Sequence, residues 1–497
     1  MDKILVTTAI SYTNGSPHIG HLYESILGDF INRVYKVTCH ESKFLTGTDE
    51  HGKKIQEKSI ESHIEPIELC NKYSTEFINM NNAIGNKYDH FIRTTSFEHL
   101  QVVIQSINHI LNNQNENNKL IYLSNYSGYY NVREEAFITE FHASETNFID
   151  PVTGNPYEIV NEETFNFKLE SGIDDIHKTI NNIIPEYCQH TIKTRVDEGL
   201  RDVSITRTTF DWGIPFPIET ESKHVIYVWF DALLNYITGK YLLYGDCKNK
   251  MIHLIGKDIV WFHSVIYPAI LKSSGHEKFM PDKILVHGFI LDKNGKKMSK
   301  SLGNTVANDY LLKKYPVEAI RYYFLTNTVL GQDLKFNEEV LVESFNKVLI
   351  NNFGNLFQRL YKIIRPIINE INDKIKLENN KILTEKNEWK QKIILNFLNT
   401  FNFNYYNDLL HSTMIECNKI LTEKMPWKLD IINQVDIIYD IVIKFNIIMC
   451  LMYPIIPDKV DELSEYLGWK NKLNFNEDVT LIISDQEKVR AFMHIKN

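Results

Sequence analysis

The first strong pattern in the chain is an apolar run, residues 3–10, which passes through a turn at 13–16 into a segment, 17–36, with apolar side chains at helical spacing. Ile19, Leu22, Tyr23, Ile26, Leu27, Phe30, Ile31 and Val34 carry that spacing. A run buried on both faces predicts a strand inside a parallel sheet, and the helix behind it predicts the crossover, with Ser16 as N-cap and Pro17 in the first helical position. β-Branched runs and amphipathic stretches go on alternating through about the first 110 residues, which predicts an α/β fold: a Rossmann-type doubly wound parallel sheet. The asparagine-rich tract 112–118 breaks the rhythm, and 122–168 is rich in aromatic and turn residues, so a connective subdomain is inserted here. Sheet-like character returns near 225–229, 251–255 and 283–286, and from 338 to 466 the chain reads as long amphipathic helices, 341–368 and 431–452 among them. The expected partition is 1–115 and 216–290 for the two halves of the Rossmann domain, 116–215 for the insertion, 291–337 for a mobile lysine loop and its flank, and 338–497 for an all-α helical bundle domain.

Composition narrows the classes. A chain of 497 residues, 43% hydrophobic and 24% charged, exceeds what one core supports and is a folded, multi-core protein. No apolar run approaches the roughly 20 residues that cross a bilayer, and the stretch 441–456 is interrupted by Lys444, Asn446 and Pro454. The N-terminus enters a strand with no basic leader, so a cytoplasmic chain without a membrane partner is expected. Cys39, Cys70, Cys188, Cys247, Cys417 and Cys450 lie far apart, without zinc-knuckle or redox spacing, and read as reduced structural thiols. A net charge of −9 excludes generic coating of nucleic acid, so any RNA contact is local.

Two motifs carry the chemistry. His18-Ile-Gly-His21 opens the helix behind the first strand, where free N–H groups and the helix dipole favour phosphate. Two imidazoles three residues apart share a face there, and Gly20 leaves room for a flat base against the backbone. Lys297-Met-Ser-Lys-Ser301 lies between Gly295 and Gly303, a composition suited to a loop that closes over a triphosphate. Alone, the first reads equally well as a cap and the second as a solvated basic turn. In this order, about 280 residues apart, the pair resembles class I aminoacyl-tRNA synthetases. That resemblance implies ATP, accompanied by Mg2+, bound between the two motifs. His18 and His21 would donate to phosphate oxygens, Lys297 and above all Lys300 would neutralise charge building toward pyrophosphate, and Ser299 would bind ATP.

Flanking segments narrow the resemblance to the methionyl-tRNA synthetases: Thr8-Ala-Ile10-Ser-Tyr12-Thr-Asn-Gly15, Thr46-Gly-Thr-Asp49-Glu-His-Gly52, Thr209-Phe-Asp-Trp212-Gly and Tyr227-Val-Trp229-Phe-Asp-Ala232. The family's pocket for L-methionine then falls on Ile10, Tyr12, Trp229, Ala232, Tyr236 and His287, with Asp49 receiving the ammonium; aromatic edges suit a polarizable thioether. Leu233 departs from the family, where many members have proline. Gly256-Lys-Asp258 resembles the adenosine-binding turn, Asp258 serving the ribose. The helical domain would read the anticodon of tRNA(Met) through Asn355, Arg359 and Trp427, and 291–337 would include the contact to the tRNA stem.

Many relatives hold zinc with cysteine pairs in the insertion, but 126–157 contains none and His142 stands alone, so no metal site is expected. The chain ends soon after the helical domain, without the dimerising module of some relatives, which implies a monomer. Rival readings are a cysteinyl or leucyl enzyme, countered by the absent zinc ligands and the short insertion; a synthetase-derived RNA-binding protein, countered by two intact phosphate motifs; and a nucleotidyltransferase without tRNA, which leaves the helical domain and Trp427 unexplained.

Overall fold

The computed structural model of the chain describes residues 2–115, 118–131, 136–138, 140–150, 154–298, 304–469, 472–483, 491–493 and 495. Its centre is a seven-stranded parallel sheet. The first strand, β1 (Lys3–Thr8), lies between β3 (Glu41–Asp49) on one side and β6 (Lys250–Gly256) on the other. A short β2 (Ser11–Tyr12) continues the line of β1 along the end of β3, and β4 (His90–Arg93) covers the far side of β3. On the opposite flank β7 (Lys283–His287) pairs with β6, and β5 (Ile183–Ile184) pairs with β7. The chain therefore winds outward from β1 through β3 to β4, then crosses to lay down the far edge strand β5 before returning to place β6 beside β1 and β7 between β6 and β5. The carboxyl ends of β1 and β6 meet at the reversal, where open α/β sheets bind ligands.

The helix behind β1, α1 (Ile19–Val37), begins two residues later than the sequence predicts, because His18 rather than Ser16 caps it. It is buried on nearly all sides, since the sheet covers one face and the helical domain the other. The helical half was expected as a separate body, yet one continuous apolar core runs from Ile4 and Val6 through α1 to Trp469. Phe30 of α1 meets Phe397, Phe403 and Tyr406 with ring centroids 5.6, 5.5 and 5.1 Å apart. Arg321, 1% exposed, ties the halves together by donating to Asp29 of α1 (2.7 Å), Asn86 (2.7 Å) and the carbonyls of Ile84, Pro454 and Ile455. Asp29 also binds Arg33 at 2.8 Å, so the buried carboxylate serves two guanidiniums. Removing one member of such a set leaves an unmatched charge and costs about 3–5 kcal/mol.

The insertion is an antiparallel four-stranded sheet built on the long pair Ile121–Asn131 and Glu158–Phe167. Its span in the sequence differs from the expectation in one respect: residues 183–184, inside 116–215, form the edge strand β5 of the main sheet. The run at 225–229 also differs. Only Val225–Ile226 is a strand, and a short helix, α3 (Val228–Leu233), follows. Short apolar runs do not distinguish strand from helix by periodicity, and here tertiary contacts decide. Among the described residues, no helix is long and apolar enough to cross a membrane, no group of three or more potential ligands converges as a metal site would require, and all six cysteines are free thiols.

Candidate active site

His18 and His21 are locked before any ligand arrives. The Gly20 N–H donates to His18 Nδ1 at 3.1 Å, and the His18 N–H donates to His21 Nδ1 at 3.2 Å, a reciprocal cap in which two imidazoles satisfy two orphan helix donors. Both Nδ1 atoms accept, so each ring carries its proton on Nε2. The rings stack 3.7 Å apart, and Phe77 closes on His21 edge-on at 5.0 Å. Desolvation in this packing, together with the His18 charge, drives the His21 pKa well below its usual value. Gly20 also has a local role: a Cβ there would stand 3.0 Å from the His18 ring, so glycine lets the ring fold back onto its own helix.

Beside this cap, at the carboxyl ends of β1, β3 and β6, lies a cavity of about 210 Å³. Ile10, Tyr12, Asp49, Trp229, Ala232, Tyr236 and Asp258 all line it, as does Leu233, so residues as far apart in the chain as Ile10 and Asp258 converge there. Trp229, Ala232 and Leu233 stand one helical turn apart on α3 and share its cavity face. The Trp229 ring stacks on Phe262 at 3.8 Å, forming an aromatic wall. Tyr236, at the start of α4 (Asn235–Tyr244), hydrogen-bonds His263 at 2.8 Å. His263 donates from Nδ1 to the Ile259 carbonyl at 3.0 Å, so its Nε2 accepts and the tyrosine hydroxyl donates. Burial raises the Tyr236 pKa and lowers that of His263 to about 4, which keeps both neutral.

The back of α3 is bolted to the turn that bears Asp49. Asp231, 1% exposed, accepts from His51 Nδ1 at 2.6 Å and from His99 Nε2 at 2.7 Å. Burial acts to raise its pKa, but the two imidazoles outweigh burial and hold it at about 2. Trp212 completes the turn: its indole N–H donates to the Glu50 carbonyl at 2.6 Å, and its own carbonyl accepts from Gly52. The Gly256 turn brings Asp258 to the cavity, and a Cβ at Gly256 would come within 2.7 Å of an Asp258 carboxylate oxygen. Lys257 of that turn and Lys297 lie 4.7 and 4.5 Å from the Phe289 ring centroid. The described stem of the lysine loop is thus seated next to the Gly256 turn, whereas Ser299 and Lys300 lie outside the described residues.

The protein similarities agree with this geometry. The family described as tRNA synthetases class I (M) matches residues 4–147 and 142–361. A curated methionine–tRNA ligase of Rhizobium meliloti is 40% identical over 374 residues, 72% of this chain and 70% of that protein. Its counterpart from Mycobacterium bovis is 38% identical over 381 residues, 73% of this chain and 70% of that protein. The chain belongs to the class I (M) tRNA synthetases. The solved Mycobacterium tuberculosis methionyl-tRNA synthetase in complex with methionyl-adenylate superposes with a TM-score of 0.83 at 29% identity, covering 99% of this chain and 100% of that one. The apo form of that synthetase superposes at 0.78 and 26% identity.

Within this class I synthetase fold, one expected pocket residue is displaced. His287, at the end of β7, does not line the cavity. Its Nδ1 bonds the Gly288 carbonyl at 2.8 Å, its Nε2 lies 3.9 Å from Glu24, and its ring meets Tyr23 of α1 edge-on. Burial acts to lower its pKa, but Glu24 outweighs burial and raises it. The imidazole that faces the cavity is His263, which the sequence reading passed over together with Phe262 and Lys54. The available signal for His263 was its place four residues after Ile259, one turn on the same helical face.

Far from the cavity, Asn355 and Arg359 stand one turn apart on α6 (Asn355–Ile364), counting α5 as Val317–Asn327. The Arg359 guanidinium lies 5.9 Å from the Trp427 ring centroid, and Trp427 is 47% exposed in the short turn Pro426–Lys428. The three residues therefore gather on one surface of the helical domain, and packing does not consume the tryptophan.

Proposed function

We infer that the chain is a methionine–tRNA ligase: with ATP it converts L-methionine to methionyl-adenylate and pyrophosphate, then transfers methionine to the 3′ end of tRNA(Met) for cytoplasmic protein synthesis. The observation that carries this reading is the cavity at the sheet's reversal. A buried carboxylate, Asp49, stands at one end, an aromatic wall of Trp229, Phe262 and Tyr12 at the side, and the neutral Tyr236–His263 pair at the floor. That combination suits an ammonium attached to an unbranched, polarizable side chain better than a charged or strongly polar one.

In the activation step the methionine carboxylate attacks the α-phosphorus in line, and pyrophosphate departs with the bonding pair. Catalysis is then positioning and charge stabilisation. The Nε2–H groups of His18 and His21 donate to phosphate oxygens, Asp258 takes the ribose hydroxyls beside Gly256, and Lys297, Ser299 and Lys300 meet the charge developing on pyrophosphate. The Mg2+ that accompanies ATP comes with the nucleotide, and no protein ligands are assigned to it. Asn355, Arg359 and Trp427 take unstacked anticodon bases. The enzyme works as a monomer, and it works without zinc, the second reading supported by the lack of cysteine in 126–157.

ATP–pyrophosphate exchange, run with each of the common amino acids in turn, tests the assignment. Methionine alone is expected to support exchange. Exchange driven by cysteine or leucine, or by none, would overturn it.

A further inference from the structure

An amino acid enters this cavity as a zwitterion, and an enclosed zwitterion needs a partner for each of its charges. The cavity lining supplies two carboxylates, Asp49 and Asp258, and among the described residues a single lysine or arginine, Lys54. Lys54 is the second residue of α2 (Lys53–Ser62), whose entry is held by the Gly52 N–H to Trp212 carbonyl bond of 3.0 Å, in the same turn that bears Asp49. Its Nζ lies 5.4 Å from the centroid of the Tyr12 ring, and Tyr12 pairs with Asp49 across β2 and β3. Other lysines of α2 face outward: Lys53 reaches Glu57 and Glu158 at 3.7 and 3.6 Å, and Lys58 reaches Glu61 at 3.2 Å. Lys54 alone of the three lines the cavity.

We propose that Lys54 is a catalytic residue of the activation step, its ammonium taking the carboxylate of the bound amino acid while Asp49 takes the amino group. The inference rests on the methionine-activating reading and deepens it. Without Lys54, an incoming carboxylate would face only like charge from Asp49 and Asp258. With it, the nucleophile is held at a fixed place in the cavity, between the amino-acid floor and the α-phosphate. One carboxylate oxygen forms a bond to the α-phosphorus, the bond from phosphorus to the bridging oxygen breaks, and pyrophosphate leaves with the electron pair. No proton moves. Lys54 follows the negative charge as it passes from carboxylate to the α-phosphoryl oxygens, so its contribution spans both substrate binding and the transition state.

The test compares methionine with methioninol, which keeps the ammonium and thioether and lacks the carboxylate. Calorimetry on the full chain gives the dissociation constant for each ligand, for wild type and for the Lys54→Met, Lys54→Gln and Lys54→Arg variants. The preference for methionine over methioninol is expected to fall about 10- to 100-fold in Lys54→Met and Lys54→Gln, the range of a charge-assisted hydrogen bond. Lys54→Arg is expected to restore most of that preference, and pyrophosphate exchange by Lys54→Met to drop about 10²- to 10³-fold. A preference unchanged in both neutral variants overturns the role of Lys54 even if both bind more weakly, because a structural defect weakens both ligands alike. A wild-type chain that binds neither ligand overturns the methionine-activating reading itself, and this inference with it.

Discussion

The amino-acid cavity and the surface around Trp427 are built on opposite plans. In the cavity Tyr236 is held by His263 and Asp231 by His51 and His99, and beside it the His21 ring is held by the His18 N–H and the His18 ring by the Gly20 N–H. Around Trp427, itself 47% exposed, Met425, Leu429, Ile431 and Ile432 are also exposed, the last by 72%. A small ligand that must react in line needs donors fixed before it arrives, because reorganisation at the moment of reaction raises the barrier. The proposed RNA ligand, a splayed loop, brings its own flexibility and needs stacking faces and a nearby cation, and an exposed tryptophan with Arg359 5.9 Å from its ring centroid supports that proposal.

The comparison can be broken most severely at the lysine loop. Lys300→Ala is expected to lower pyrophosphate exchange by about 10²- to 10³-fold, roughly 3–4 kcal/mol of barrier, while leaving the apparent KM for tRNA within error. Near-normal exchange would refute its assignment. Acidification probes the same half next. His263 is held neutral by burial with a pKa near 4, and burial holds His21 and His253 well below the usual value. A base depressed in the folded state favours the native chain above its unfolded pKa of 6.5, and its contribution declines as pH falls toward 4. For His263 alone the loss is about 3 kcal/mol. Stability followed by denaturant titration between those limits should fall with acid, and His263→Gln should flatten the slope; an unaltered slope would show that the imidazole does not titrate as placed.

Tyr236→Phe comes next in size. It removes the donor to His263 Nε2 and strands a buried acceptor, so the methionine KM should rise by about 1–3 kcal/mol, five- to 150-fold, with the ATP KM unchanged. If both constants move together, the pair does not belong to the amino-acid floor. The smallest effect is expected on the open surface. Trp427→Ala should raise the KM for tRNA by about 1–2 kcal/mol, the worth of one stacked base, with exchange intact. Equal damage to exchange and charging would erase the contrast between the two regions.

Much of the cavity was legible because its residues sit in motifs with local meaning. Asp49 ends a strand, Gly256 and Asp258 form a turn after another, and Trp229 and Ala232 share a helical face. His287 stands outside the cavity lining, because a motif position fixes the end of β7 but not the direction of the ring, which the partly buried Glu24 and the Gly288 carbonyl set. His263 and Lys54 were missed for the converse reason: each belongs to an ordinary amphipathic helical stretch, where spacing, such as that of His263 from Ile259, shows which side chains share a face but not what that face meets. Ser16 lost the cap to His18 because the two histidines satisfy the helix start reciprocally, an arrangement that depends on both rings and on the absence of a side chain at Gly20.

Alternating periodicity, motif order and spacing determined the doubly wound parallel sheet and the helical second half, since each of these follows from short-range pattern and chain direction. Tertiary structure alone decided that β5 would leave the insertion for the edge of the main sheet, that Arg321 would join the two halves through Asp29, and which imidazole and which lysine would face the cavity. Periodicity reports that a face is buried. What it is buried against depends on segments hundreds of residues away, and only their packing selects among them.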